Sequence, residues 1–418
     1  MTMNAKRRRM HEKLAGLPGV RPVRRPAWPG SDQEFDLYYV RTGHKSAHPL
    51  VIIPGGPGVA SLRLYQGLRR RAAAAGLDVI MIEHRGVGMS RHDDSGADLP
   101  PQALTVNQVV DDVAAVLDDA HADSAVIYGT SYGTYIAGGL GVRHPGRVRA
   151  MILDSPVLSR EDIAAVRDAL RGLLLEGHDP ETAALARKVR RLVDAGVMTA
   201  SAGQVAAVVY GFGGTPLLDR QLDLLLDGRI LLWRSLFRFT KMFAREAPYR
   251  YEMDLVSRIA FRELDYAAEP DGLPLDPALA IRETLTETAA FEAEPYDLVA
   301  EMPKFGWPTV VISGGRDLIT PPAVAKRIAS LVPNAVLLTL PTMAHSALDF
   351  REPASLAIVG AVWRGELDGL ADQAAALDAL PARPALRLLW KAINVAAAAE
   401  AVLPSVPPGL VRRRISFV

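Results

Sequence analysis

The sequence predicts an α/β fold, a mostly parallel central sheet flanked by helices and interrupted by an inserted helical cap. Two observations carry that prediction. Short apolar runs without polar alternation (Leu50-Val51-Ile52-Ile53, Val79-Ile80-Met81-Ile82, residues 125–128 and 151–153) are separated by segments with helical apolar spacing, notably 106–120 and 135–142. Strands that are apolar on both faces need cover on both sides, which parallel sheets between helices provide. The alternation then stops near Pro156 and resumes with a strand at 309–312, a helix at 323–331 and a strand at 335–338.

Residues 160–296 between these blocks read as helical, with an amphipathic stretch at 222–243 rich in Leu, Phe and Trp. An insertion there would lie over the carboxyl edge of the sheet, where open α/β folds bind ligands. The chain divides into a first core segment (1–157), a helical cap (158–300), a second core segment (301–365) and a C-terminal helical extension (366–418). Charges at Arg387, Lys391 and Glu400 argue against a membrane span in that extension.

With 418 residues, 49% of them apolar, the chain can bury a full core and carry an insertion. Its formal charge of +1 gives no global attraction to nucleic acid or anionic lipid. The basic runs Lys6-Arg7-Arg8-Arg9 and Arg412-Arg413-Arg414 read as solvated tails. Cysteine is absent, which excludes thiol catalysis, disulfides and thiolate metal sites. The nine histidines show no metal-ligand spacing, so no metal and no cofactor is expected. No apolar run follows the basic N-terminus as in an export signal, and a cytoplasmic protein is expected.

Gly129-Thr130-Ser131-Tyr132-Gly133 lies between a strand and a helix, the context of a nucleophile elbow. A serine on such a sharp turn needs glycines where side chains would strike neighbouring backbone. A hydroxyl is a weak nucleophile until a base takes its proton, and the base needs a partner to fix its tautomer. His345 and Asp317 follow later strands, giving the chain order Ser, Asp, His that this arrangement demands. His84 and His92 compete for the role of base, and Asp154, after the strand at 151–153, competes for that of acid or is a capping residue. The amide of Tyr132 and that of Gly56, in Pro54-Gly55-Gly56-Pro57-Gly58, are the candidate oxyanion donors, since Pro57 has none.

These segments together resemble the prolyl aminopeptidase (proline iminopeptidase) branch of the α/β-hydrolases, with its tripeptidyl-aminopeptidase relatives. Residues 54–58 resemble the family's HGGPG loop, Glu83-His84-Arg85-Gly86-Val87-Gly88-Met89-Ser90 its DQRGxGxS segment, and residues 129–135 its GxSYGxY-like elbow. Pro54 stands where the family has histidine, and Glu83-His84 where it has Asp-Gln. The resemblance spans 35–157 and 305–362 and is thin across the cap. It implies an α/β-hydrolase fold and a serine peptidase that holds the substrate's ammonium with cap carboxylates. Phe261-Arg262-Glu263-Leu264-Asp265-Tyr266 and Phe291-Glu292-Ala293-Glu294-Pro295-Tyr296 faintly resemble the acidic segments, making Glu263 and Glu294 the candidate amine anchors. The expected activity is release of proline or another small N-terminal residue from a short peptide. A carboxylesterase or lactonase acting on an apolar small molecule is the alternative.

Overall fold

In the computed structural model, which describes residues 3–178, 180–243, 247–284 and 289–405, the strands form one eight-stranded sheet. They are β1 (Val20–Pro26), β2 (Glu34–Thr42), β3 (Leu50–Ile53), β4 (Val79–Ile82), β5 (Ala125–Thr130), β6 (Val148–Asp154), β7 (Thr309–Gly314) and β8 (Ala335–Leu340). Their spatial order is β1-β2-β4-β3-β5-β6-β7-β8. The pairs β1–β2 and β2–β4 are antiparallel, and every other pair is parallel.

Alternate residues of the inner strands enter two different apolar clusters. Val51, Ile53, Ile80 and Ile127 pack on one face; Leu50, Ile52, Val79, Met81 and Val126 pack on the other. Continuous apolar runs are therefore what these strands require. The sequence gives no comparable signal for β1, whereas β2 contains the buried run Leu37-Tyr38-Tyr39-Val40. The β1 residues, Val-Arg-Pro-Val-Arg-Arg-Pro, are partly buried or exposed along their whole length, and an edge strand tolerates proline because one row of its backbone groups needs no ladder partner.

Between β6 and β7 the chain forms helices, among them Asp162–Arg171, Pro180–Asp194, Ala200–Leu226 (broken into two at Gly214, φ 66°), Leu231–Phe243, Met253–Leu264 and Pro277–Thr284. Leu170, Leu185, Val189, Leu218, Leu222 and Trp233 give this insertion an apolar cluster separate from the two on the sheet. The single amphipathic helix expected at 222–243 is in fact two, broken after Leu226 where Gly228 adopts φ 77°. The C-terminal helix Pro384–Glu400 packs back on the insertion, and Glu400 accepts from the amides of Leu231 (2.6 Å) and Leu232 (2.8 Å). That carboxylate caps the otherwise unpaired first turn of the helix Leu231–Phe243.

Arg7 is not the solvated tail residue its basic run suggested. It donates to Glu252 (2.9 Å) and to the carbonyl of Gly88 (3.1 Å), and its side chain is 10% exposed. Arg412-Arg413-Arg414 lie outside the described residues. Among the described residues, no helix is long and apolar enough to cross a membrane.

Candidate active site

Ser131 sits between β5 and the helix Tyr132–Arg143 at φ 52°, ψ −125°, a conformation that non-glycine residues rarely adopt. The turn is held by the Ser131 amide donating to the Asp154 carbonyl (2.9 Å) and by the Thr134 hydroxyl donating to the Ser131 carbonyl (2.6 Å). The flanking glycines have a direct steric cause. A Cβ at Gly129 would lie 2.4 Å from the carbonyl oxygen of Gly133, and one at Gly133 would lie 2.1 Å from that of Ile53. The elbow thus forms where β5, the following helix and the end of β3 press together.

His345 lies in the loop after β8, and its Nδ1 is 2.9 Å from Asp317 Oδ2. Asp317 lies in the turn after β7 and also accepts from the amides of Ile319 (2.8 Å) and Thr320 (2.9 Å) and from the Thr320 hydroxyl (2.9 Å). Burial alone would raise its pKa, but the His345 charge and these donors hold it below the ordinary carboxylate value. Burial opposes charge on His345 as well, yet Asp317, with smaller help from Asp154 and Asp349, leaves its pKa above the ordinary value.

The serine turn and the histidine loop meet through their neighbours. The Thr130 hydroxyl lies 3.1 Å from Ser346 Oγ, and the Ser346 amide donates to Ser155 Oγ (2.9 Å). Asp154 accepts from the amides of Ala347 (3.0 Å) and Leu348 (2.9 Å) and from the Tyr128 hydroxyl (2.9 Å). Its capping alternative is therefore the geometry found: it tethers the backbone just after His345, while Asp317 contacts the ring.

His84 is engaged elsewhere. Its Nδ1 is 2.6 Å from the Arg85 carbonyl and its Nε2 3.1 Å from the Tyr132 hydroxyl, which makes Nδ1 the protonated nitrogen and Nε2 the acceptor. Burial pushes His84 and His92 down to about 4. Glu83 is fully buried and accepts from the amides of Ser61 (2.6 Å) and Leu62 (3.1 Å). Arg85 makes a two-pronged ion pair with Asp112, both contacts at 2.6 Å, and donates to the carbonyls of Ala27 and Ala103, each at 2.8 Å. The segment 83–90 is thus a buried structural hub beneath the site.

A cavity of about 240 Å³ lies between the sheet edge and the insertion. Gly56, Ser131 and Thr320 line it from the core; Arg160, Asp162, Leu264, Asp265 and Tyr266 line it from the insertion. Gly55, one residue before Gly56, packs against the nucleophile turn, where an added Cβ would come within 3.1 Å of Ser131 Cβ. Val157, Ile163, Val166 and Ile281 give the cavity an apolar side.

Glu263 and Glu294, the candidate amine anchors, are not among the residues that line this cavity. Glu263 accepts from the Val106 amide (2.9 Å) at the start of the helix Val106–Asp119, and Glu294 accepts from the Arg160 amide (2.7 Å). The carboxylates that do line it are Asp162 and Asp265. Asp162 Oδ2 accepts from the amides of Leu158 (2.7 Å) and Ser159 (3.2 Å), and burial pushes its pKa up to about 6. Asp265 ends the helix Met253–Leu264 at φ 53°, and among the described residues its carboxylate has no hydrogen-bond donor. Sequence reasoning missed both, because which acid faces the cavity depends on how the inserted helices turn. Among the described residues, no cluster of three or more histidines and carboxylates could hold a metal ion.

The family profile described as alpha/beta hydrolase fold matches residues 48–352, well over half of the chain. The chain belongs to the α/β-hydrolase family. It is 24% identical over 144 residues to a probable proline iminopeptidase of Streptomyces coelicolor, a match spanning 34% of this chain and 44% of that relative. The crystal structure of a proline iminopeptidase from Mycobacterium smegmatis superposes with a TM-score of 0.50 at 17% identity, covering 83% of this chain and 98% of that one. VinJ gives the same TM-score and identity over 84% of this chain and 100% of its own. These likenesses bear on the fold, and the segment shared with the Streptomyces protein is a local similarity to a probable proline iminopeptidase.

Proposed function

We propose that this chain is a serine hydrolase in which Ser131 is the nucleophile, His345 the base and Asp317 the residue that orients it. Ser131 Oγ bonds to the substrate's carbonyl carbon while its proton passes to His345. The carbonyl oxygen takes up negative charge facing the amides of Tyr132 and Gly56. Collapse expels the leaving group, which receives the proton from His345. Water then repeats the cycle on the acyl-enzyme and frees the acid. The observation that carries this reading is the strained Ser131 turn at the mouth of a cavity, on the sheet edge where Asp317 bonds His345.

The substrate proposed is a short peptide, from which the enzyme releases proline or another small N-terminal residue. Supporting this are the local similarity to the probable Streptomyces proline iminopeptidase and the two carboxylates, Asp162 and Asp265, in the wall of the cavity that holds Ser131. A substrate ammonium leaving water needs opposite charge, and Asp265 has a carboxylate to offer. The apolar side formed by Val157, Ile163, Val166 and Ile281 favours a second reading, a carboxylesterase or lactonase for an apolar ester. Hydrolysis of prolyl and alanyl anilides, compared with a short acyl ester, tests the two. The peptidase reading predicts faster anilide cleavage that weakens in Asp265→Asn; ester-only turnover indifferent to that change would overturn it.

A further inference from the structure

We propose that a second cleft, between the C-terminal helix and the loop bearing His345, binds a small organic carboxylate with a flat apolar body. This inference is independent of the proposed hydrolase reaction, because the cleft shares no lining residue with the cavity that holds Ser131. The cleft encloses about 510 Å³ and is walled by Phe212, Phe350 and Trp390 together with Arg351, Arg387 and Lys391.

The aromatic part is built to receive a flat group. Phe212 stacks on Trp390 with ring centroids 5.0 Å apart and planes 14° from parallel, and Phe350 meets Phe212 edge-on at 4.5 Å. Gly211 lets its helix approach the loop bearing His345 closely, for an added Cβ would lie 3.0 Å from Ala344 Cβ. Pockets for small organic ligands combine such apolar walls with a few placed polar groups.

The polar part carries an excess of positive charge. No acidic residue is among those lining the cleft. Arg387 and Lys391 stand one turn apart on the helix Pro384–Glu400, with Trp390 on the same face. Like charges at that spacing destabilise a helix unless an anion relieves them. Arg351 is held by the carbonyls of Asp378 (3.2 Å) and Leu380 (3.1 Å) and by the Thr342 hydroxyl (2.8 Å), neutral acceptors that fix the guanidinium without cancelling its charge. The Asp378 carboxylate, held by the amide (3.0 Å) and hydroxyl (3.1 Å) of Thr342, keeps its charge but is not among the residues lining the cleft, where three cations are. A ligand carboxylate would supply a counter-charge to these three cations, while its flat body lies against the stacked rings.

Calorimetric titration of the full chain with 2-naphthoate and with its neutral counterpart 2-naphthamide tests the assignment. The expected result is saturable binding of one naphthoate per chain, with the amide bound at least about tenfold more weakly. Arg387→Glu/Lys391→Glu should lower naphthoate affinity by about tenfold or more with an unchanged far-UV spectrum, and Arg387→Gln/Lys391→Gln should lower it by less. The milder pair serves as the test should the charge reversals unfold the helix. Equal affinity for the two compounds, no saturable binding, or full affinity in the folded variants would overturn the proposal.

Discussion

The carboxyl ends of β6 and β7 lie side by side, and each delivers a buried aspartate to the same loop, but to different atoms. Asp317, after β7, contacts the imidazole of His345, whereas Asp154, ending β6, contacts the amides of Ala347 and Leu348 beyond it. Their electrostatics diverge accordingly. Burial dominates Asp154 and raises its pKa, while the histidine and three further donors bring Asp317 below the ordinary value. In the proposed reaction, two carboxylates that look interchangeable in the sequence would therefore do different work: one would set the charge and tautomer of the ring, the other where the ring is.

The sharpest way to break this contrast is to remove each acid in turn. Asp317→Asn keeps the shape but inverts the hydrogen-bonding preference at Nδ1, so kcat should fall by about 10⁴-fold. Next in size is a control from the hub beneath the site. Arg85→Ala leaves the buried Asp112 carboxylate paired with Arg25 alone and removes the donor to the carbonyls of Ala27 and Ala103, and urea denaturation should show a loss of about 1–3 kcal/mol. Asp154→Asn should lower kcat by about 10²-fold through displacement of the ring, with KM little changed in steady-state assays. A kcat loss equal to that of Asp317→Asn would contradict the division of labour.

The pH profile separates the two further. His345 must be neutral to accept a proton, and its pKa lies above the ordinary 6.5, so activity should fall as pH drops through an apparent pKa above that value. Asp317→Asn removes the main stabiliser of the charged ring and should move this limb to lower pH. Asp154→Asn should move it in the same direction by less, since Asp154 is a smaller contributor. The smallest expected effect is on ground-state binding. Asp265→Asn should raise KM for an anilide by about tenfold while leaving an ester unaffected.

The same contrast shows how far the sequence could be read. The sharp turn at residue 131 was legible because it demands glycines at 129 and 133, and the inner strands because both their faces are covered. Asp154 could be picked out as a buried aspartate after a strand, but its contact to the amides of Ala347 and Leu348 exists only once β6 and the histidine loop are side by side. The insertion was less legible still. Glu263 and Glu294 carry the acidic motif yet are spent on backbone amides, while Asp162 and Asp265 reach the cavity through helix packing that has no short-range signature. β1 escaped notice because an edge strand can be arginine- and proline-rich.

Labelling with a fluorophosphonate, followed by peptide mapping, tests the central claim most directly. The geometry predicts an adduct on Ser131 in the native chain, none in Ser131→Ala, and far slower labelling in Asp317→Asn than in Asp154→Asn. No adduct on Ser131, or an adduct formed on another residue, would contradict it.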